Sequence, residues 1–130
     1  MKKLLAVGSA LLAATMPSIA LAQYDDSPTG AGAWNTCWAL QQGLPFKMAF
    51  TMSINPMTAL MDQRGAQPMQ MKRNFVTISN YLQTLNNIPE SEKDAKINIF
   101  TKATMKKVLK MCPNSIGASE AQEIRKYVAK

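Results

Sequence analysis

Three observations predict that this chain folds as an all-α domain, a small bundle of four to five helices closed by one disulfide. Apolar residues recur every three or four positions along much of the chain, which is the period of a helix. No stretch shows the sustained alternation of apolar and polar residues that marks a strand. The chain holds two cysteines, Cys37 and Cys112, which are positioned to join an early helix to a late one.

The N-terminal residues have the pattern of a secretory signal. Lys2 and Lys3 precede an apolar run from Leu4 to Met16, and Ala20-Leu21-Ala22 resembles a cleavage site. The run is shorter than the roughly 20 apolar residues that a membrane-spanning helix needs. We therefore predict that residues 1–22 are a cleaved signal peptide, that no transmembrane segment remains afterwards, and that the protein is periplasmic or secreted.

Removal of the signal would leave 108 residues (130 minus 22), which is enough for one small domain. Because exported proteins reside in an oxidising compartment, we expect Cys37 and Cys112 to form a disulfide, with a metal-binding or nucleophilic role as the alternative.

Residues 23–33 show no apolar periodicity and are rich in small and turn-forming residues, so they are predicted to be a flexible leader. The helical domain is then expected to span 34–130. Its first helix is predicted over 34–42, with Asn35 or Thr36 as the N-cap and Gly43 as the stop.

Prolines predict the starts of the next elements. Pro45 is expected to open a second helix that ends at Asn55-Pro56, and a short helical segment is expected over 57–63 before Gly65. Pro68 is expected to open the third helix, whose predicted core stripe consists of Met71, Phe75, Ile78, Leu82 and Leu85.

The fourth helix is predicted to follow Pro89 and to end at Cys112-Pro113. Acidic residues in its first turns, Glu90, Glu92 and Asp94, suit the positive end of the helix dipole. Its predicted core stripe consists of Ile97, Phe100, Thr104, Val108 and Met111.

A last helix is predicted near the C-terminus. Ser119 and Gln122 have the spacing of a capping box. The apolar stripe expected for this helix consists of Ala121, Ile124 and Val128.

Positive charge is concentrated in the C-terminal half. Without the signal, 13 basic residues (15 minus Lys2 and Lys3) face 8 acidic ones, a net charge of +5. Residues 72–130 hold 11 basic and 5 acidic residues, a net charge of +6, whereas 23–71 hold 2 and 3, a net charge of −1. An anionic partner should therefore meet the C-terminal half. Export disfavours nucleic acid, so an acidic protein or an anionic envelope surface is the expected partner.

The chain contains no histidine. This absence removes the commonest general base, the histidine-assisted nucleophiles and most zinc sites. The sequence also lacks a glycine-rich phosphate loop and a cysteine-rich metal motif. We therefore predict no catalytic residues, no cofactor and no enzymatic activity.

Methionine is abundant, with ten residues in the chain. Three interpretations of the central cluster remain open at this point: an adaptable apolar surface for a protein partner, a Cu(I) site built from thioethers, or simple core filling. The Cu(I) ligands would be drawn chiefly from Met48, Met52, Met57 and Met61. The surface would consist of Met48, Met52, Met57, Met61, Met69 and Met71.

Lysines repeat along the fourth helix on the side opposite its core stripe. Two apolar residues, Ile99 and Leu109, are predicted to project among them, which suggests a contact surface. The alternative is an ordinary solvated lysine face. The predicted partner-binding residues of this helix are Ile99, Lys102, Lys106, Lys107, Leu109 and Lys110.

The motifs around the cysteines resemble two exported helical families. The residues Trp34, Thr36 and Cys37, with Cys112 ending a helix, resemble the periplasmic acid-stress chaperones of the HdeA type. The tail that begins at Cys112-Pro113 also resembles the immunity proteins of type VI secretion amidases. Both resemblances imply a disulfide-stapled helical domain that acts by binding proteins.

The resulting prediction is an exported protein-binding module, chaperone-like or partner-inhibiting, that acts by contact. A methionine-rich Cu(I) carrier or buffer is one alternative. A structural accessory of an envelope or secretion complex is the other.

Overall fold

The computed structural model describes residues 25–55 and 68–130. These ranges contain no strand, and the predicted all-α fold is confirmed. None of the helices within them is long and apolar enough to span a membrane. The described ranges contain five α-helices, namely α1 (Pro28–Gln41), α2 (Phe46–Ile54), α3 (Met69–Thr84), α4 (Glu90–Met111) and α5 (Ala118–Ala129), with 3₁₀ turns at Leu85–Asn87 and Pro113–Ser115.

Helix α1 is the centre of the bundle, since it contacts α2, α3 and α4. It begins at Pro28, six residues before the predicted start, and its N-cap is Ser27, whose Oγ accepts a hydrogen bond from the Gly30 N–H at 3.0 Å. The prediction of a flexible leader is therefore wrong for residues 28–33. The predicted caps, Asn35 and Thr36, are also wrong, because both lie inside the helix and are buried.

Small residues explain why the first turns of α1 are helical without showing an apolar stripe. Ala31 and Ala33 are fully buried, and a Cβ at Gly32 would lie 3.0 Å from Cγ2 of Thr104 on α4. The neighbouring helix therefore approaches the α1 backbone closely, and burial on several sides replaces the one-sided pattern of a surface helix.

The end of α1 follows the sequence prediction. Gly43 has φ of 95°, a conformation that suits glycine, and its N–H donates to the Leu40 carbonyl at 3.0 Å. The helix ends just before this turn, at Gln41.

The predicted disulfide between Cys37 and Cys112 is confirmed. Its S–S distance is 2.08 Å and its Cα–Cα distance is 5.9 Å. The bridge joins Cys37 in α1 to the residue that follows α4, and both cysteines are buried members of the main apolar core. Buried members of this core include Trp34, Leu40, Phe46, Phe50, Met52, Met71, Val108, Met111, Ile116 and Ile124.

Helices α2 and α3 each begin directly after a proline, Pro45 and Pro68, as the sequence predicts. Along α3, Met71, Ile78 and Leu85 are buried, while the other two members of the predicted stripe are half-buried. The helical segment predicted over 57–63 lies outside the described residues.

The core stripe of α4 is also confirmed, with Ile97 half-buried and the four residues from Phe100 to Met111 in the stripe buried. A smaller core of Ala31, Ile78 and Phe100 lies between α1, α3 and α4. In it the Phe100 ring stacks on Tyr81 with ring centroids 5.1 Å apart.

Helix α5 begins earlier than its predicted capping box. Gly117 occupies the cap position, no side chain caps it, and Ser119 lies within the first turn, so the capping-box prediction is wrong. The reason is that Gly117 is already extended, with ψ of 149°, which places the start of the helix at Ala118. The predicted stripe is confirmed, since Ala121 and Ile124 are buried and Val128 is half-buried.

Candidate interaction surfaces

The central methionines do not form one surface. Met52 is only 3% exposed and Met71 is fully buried, so their prediction as partner-binding residues is wrong and core filling accounts for both. Met48 and Met69, by contrast, are 51% and 62% exposed. The remaining two members of the predicted set, Met57 and Met61, lie outside the described residues.

Packing of α2 explains why Met48 and Met52 have different environments. The buried side of α2 comprises Phe46, Ala49, Phe50, Met52 and Ser53, and it packs against α1. Met48 lies outside this buried set. The i,i+4 spacing that predicted a shared thioether pair therefore places one sulfur in the core and the other at the surface.

The solvent-facing side of α3 carries a second exposed apolar residue that the sequence analysis missed. Val76 is 59% exposed and lies two helical turns after Met69, with the exposed bases Lys72 and Arg73 between them. Helix α3 contains no acidic residue. We call Met69, Lys72, Arg73 and Val76 the α3 outer face. The sequence indicates this face only through Met69 and Val76, which are seven positions apart on the side of the helix opposite the core stripe.

The solvent-facing side of α4 has an exposed apolar residue among lysines. Ile99 is 67% exposed, the highest value among the large apolar residues of the described chain. Lys102 is half-buried, whereas Lys106 and Lys110 are exposed, and all three follow Ile99 on the same side of the helix. We call Ala95, Ile99, Lys102, Lys106 and Lys110 the α4 outer face.

Two of the residues predicted for this face have other roles. Leu109 is half-buried and packs against the main core, so it does not project among the lysines. Lys107 turns towards the start of α1, where its Nζ lies 2.7 Å from Asp25 Oδ2 and 3.1 Å from Ser27 Oγ. The prediction that Leu109 projects among the lysines is therefore wrong, whereas the partner-binding role of Lys107 stays a prediction.

Tyr127 on α5 borders the α4 outer face and was not predicted from the sequence. It is 36% exposed, and its hydroxyl donates to Asn98 Oδ1 at 3.2 Å. The Lys102 ammonium lies over the ring, 5.4 Å from its centroid, which is a cation–π distance. These two contacts hold an aromatic ring beside Asn98 and Lys102, and only the packing of α5 on α4 brings these residues together.

The lysines of the α4 outer face have no carboxylate partner within the described ranges. The ion pairs found there join Lys107 to Asp25 and Lys126 to Glu123. Lys106 and Lys110 therefore present their charge to solvent or to a partner, while the Lys102 ammonium lies over the Tyr127 ring.

A hydrogen-bonded polar cluster joins the start of α1 to α4; it consists of Asp25, Ser27 and Lys107. Oδ1 of Asp25 accepts from the Ser27 N–H at 3.0 Å and from the Ser27 hydroxyl. The hydrogen bond from Lys107, followed by that from Ser27, lowers the pKa of the Asp25 carboxyl below its ordinary value of 3.8. A half-open pocket of about 320 Å³ lies beside this polar cluster and is lined by Asp25, Lys107, Lys110 and Met111.

Two buried amides lie between α1 and α3. Nδ2 of Asn74 donates to Asn35 Oδ1 at 3.0 Å, and Nε2 of Gln70 donates to Asn74 Oδ1 at 2.9 Å. Nδ2 of Asn35 has no hydrogen-bond partner among the described residues. Asn74 occupies a core position of α3 where the sequence pattern predicted none, and the pair fixes how the two helices pack.

Within residues 25–55 and 68–130, no group of three or more cysteine, aspartate or glutamate side chains is arranged to hold a metal ion. For the alternative Cu(I) site, one of the four predicted ligands, Met52, belongs to the core.

Comparisons of the chain with protein families, with curated proteins and with solved structures find no match.

Proposed function

We propose that the protein is an exported binding module that acts on a protein partner by contact rather than by catalysis. The observation that carries this proposal is the placement of its exposed apolar side chains. Met69 and Val76 flank Lys72 and Arg73 on α3, and Ile99 lies beside Lys102 on α4. Apolar residues beside cations favour partners that offer both an apolar surface and negative charge.

The two outer faces also have the energetic character of contact surfaces. Full burial of a side chain such as Val or Ile contributes about 1.5–3 kcal/mol, and on both faces such residues remain largely exposed in the folded chain. Electrostatic attraction by the neighbouring cations would raise the association rate of an acidic partner, and added salt would reduce this effect. The disulfide is consistent with a working place outside the cytoplasm, in accord with the proposed signal peptide.

The proposal includes two modes of action, which correspond to the two resemblances of the sequence. A chaperone-like module would contact many unfolded proteins, whereas a partner-inhibiting module would hold a single protein tightly. Both modes use contact surfaces of the kind found on α3 and α4.

Site-specific photo-crosslinking in the native periplasm tests the proposal. The photoreactive residue would replace Val76 or Ile99 in the full-length chain, and the matched control position is the exposed Gln122 on α5. We expect protein adducts from at least one of the first two positions and few from the control. Equal labelling at all three positions, or none at any, would contradict a contact-acting module.

The pattern of adducts distinguishes the two modes. A single adduct band at neutral pH indicates a partner-inhibiting role, and many bands that multiply at mildly acidic pH indicate a chaperone.

A further inference from the structure

We infer that the α4 outer face, together with Tyr127, is the docking surface for an acidic amphipathic helix of the protein partner. This inference rests on the proposed function and specifies its partner. It follows from the charge of the face, from its apolar anchor and from the acidic end of α4.

The lysines of the face have a helical repeat. Lys102, Lys106 and Lys110 are four residues apart, so their Cα atoms follow one another at about 6 Å along the helix axis. Carboxylates spaced four residues apart on a partner helix have the same repeat. Because Asp25 already pairs with Lys107, the neighbouring base is not available to an acid from outside.

The apolar anchor lies at the N-terminal end of this lysine row. Ile99 is 67% exposed, and the exposed Ala95 one turn earlier leaves room beside it for an apolar side chain of the partner. The Tyr127 ring is held next to Lys102 by its hydrogen bond and by the ammonium above it. Binding would therefore cost little further ordering of this aromatic side chain.

The acidic first turns of α4 give the docking surface a direction. Glu90, Glu92 and Asp94 outnumber the bases Lys93 and Lys96 before Ile99, a net charge of −1 (2 minus 3), and no acidic residue follows within the helix. Repulsion from these carboxylates should keep the acidic part of the partner over the C-terminal half of α4. The apolar contact then falls at Ile99 and the acidic contacts at the lysine row.

Charge complementarity and the helical repeat favour a protein segment over a lipid surface. An anionic bilayer would be attracted to the bases of the α3 outer face as well as to those of α4, because its headgroups have no fixed spacing that would match one set of bases better than the other. A helix with ordered carboxylates would select the face where three lysines repeat every four residues.

The test uses the full-length chain, expressed with its own leader, purified in oxidised form and labelled with ¹⁵N. The probe is a stapled synthetic helix with Glu at every fourth position beside a stripe of Leu, and its control has Gln in place of every Glu. We expect the Glu helix to shift the amide signals of Ile99, Lys102, Lys106 and Tyr127. The Gln helix should shift them little at the same concentration.

Variants define the surface further. Ile99→Ser should weaken binding of the Glu helix about tenfold, and Lys102→Gln with Lys106→Gln should weaken it by a similar factor that falls as salt is added. The matched control, Val76→Ser with Arg73→Gln on the α3 outer face, should leave binding unchanged. Apart from Lys102, which is half-buried beside Tyr127, the substituted residues are exposed, and the circular dichroism spectrum of each variant reports whether the fold is retained.

Three outcomes would overturn the inference: amide shifts on the α3 outer face instead, no shifts at all, or binding to phosphatidylglycerol vesicles without binding to the Glu helix. These outcomes are separable from failure of the proposed function. If Val76 yields protein adducts in the periplasm but the Glu helix fails to bind α4, the docking inference falls and the binding module stands. If neither Val76 nor Ile99 yields adducts, the proposed function itself fails.

Discussion

Helices α1 and α4 pack against each other but use their residues differently. Ten of the 14 residues of α1 are buried and none is charged, whereas four of the 22 residues of α4 are buried and its exterior is largely charged. The comparison shows that α1 serves the fold and that α4 divides its residues between the fold and the solvent. Substitutions in α1 should therefore change stability, and those on the outer side of α4 should change binding.

The largest expected effect comes from the bond that joins the two helices. Replacing both cysteines (Cys37→Ala with Cys112→Ala) should lower the free energy of unfolding by roughly 4 to 5 kcal/mol, because the bridge closes a loop across 75 positions. Urea unfolding followed by circular dichroism measures the loss. The wild-type protein in excess reductant is the control and should unfold at the same urea concentration as the double variant. A loss below about 1 kcal/mol would show that packing alone holds α1 to α4.

Two adjacent residues of α4 provide the next test. Phe100 is 4% exposed and stacks on Tyr81, so Phe100→Ala should cost about 3 kcal/mol. Ile99→Ala should change the free energy of unfolding by less than about 0.5 kcal/mol, because its side chain is 67% exposed. Thermal and urea unfolding compare the two variants. Similar losses of unfolding free energy for both variants would mean that the outer side of α4 also stabilises the fold, which would contradict the division of α4 into a structural side and a binding side.

The close approach of α1 and α4 can be tested at Gly32. Gly32→Val should lower the free energy of unfolding by about 2 kcal/mol, because a Cβ there would lie 3.0 Å from Thr104 Cγ2. The compensating change is Thr104→Ser, which removes that methyl group but keeps the hydroxyl that donates to the Phe100 carbonyl at 2.7 Å. A double-mutant cycle should show partial rescue. If the two losses simply add, the contact between these helices does not limit the size of residue 32.

The smallest expected effect on stability concerns the polar cluster of Asp25, Ser27 and Lys107 between the start of α1 and α4. Lys107 holds the pKa of Asp25 below 3.8, so the contribution of Asp25 is present above that pH and is lost as the pH falls through its lower, folded-state pKa. Asp25→Asn should therefore reduce stability near pH 7 by less than about 1 kcal/mol, since the pair is partly exposed. Urea unfolding between pH 7 and pH 2 should show the variant and the wild type converging at the acidic end. The control Asp26→Asn should match the wild type throughout, and a constant gap at all pH values would contradict the ion pair.

Much of the fold was predictable because helix periodicity is local information. The stripes of α3 and α4 each place several large apolar residues on one side, and these residues proved buried or half-buried. Gly43 and the prolines before α2 and α3 marked helix boundaries through their own backbone preferences. The first turns of α1 escaped prediction because glycine and alanine carry no apolar stripe, even where close packing buries them completely.

The candidate interaction surfaces were less predictable. Ile99 was identified correctly as an exposed apolar residue among lysines, but Lys107 and Leu109 on the same helix were assigned to the surface although they contact Asp25 and the core. Met48 and Met52 have the spacing of four residues that predicted a shared environment, yet Met48 is exposed and Met52 is buried. The difference arises from where α1 lies against α2, which residue spacing along α2 alone does not specify.

Residue type, spacing and redox environment were sufficient to predict the all-α class, the pairing of Cys37 with Cys112 and the core sides of α3 and α4. The packed fold was needed to show that α1 begins at Pro28, that Met52 and Met71 belong to the core, and that Tyr127 lies beside Lys102. The physical reason is that burial and pairing depend on neighbours brought together from distant parts of the chain. Local periodicity shows which side of a helix can pack, but not which partner will cover it.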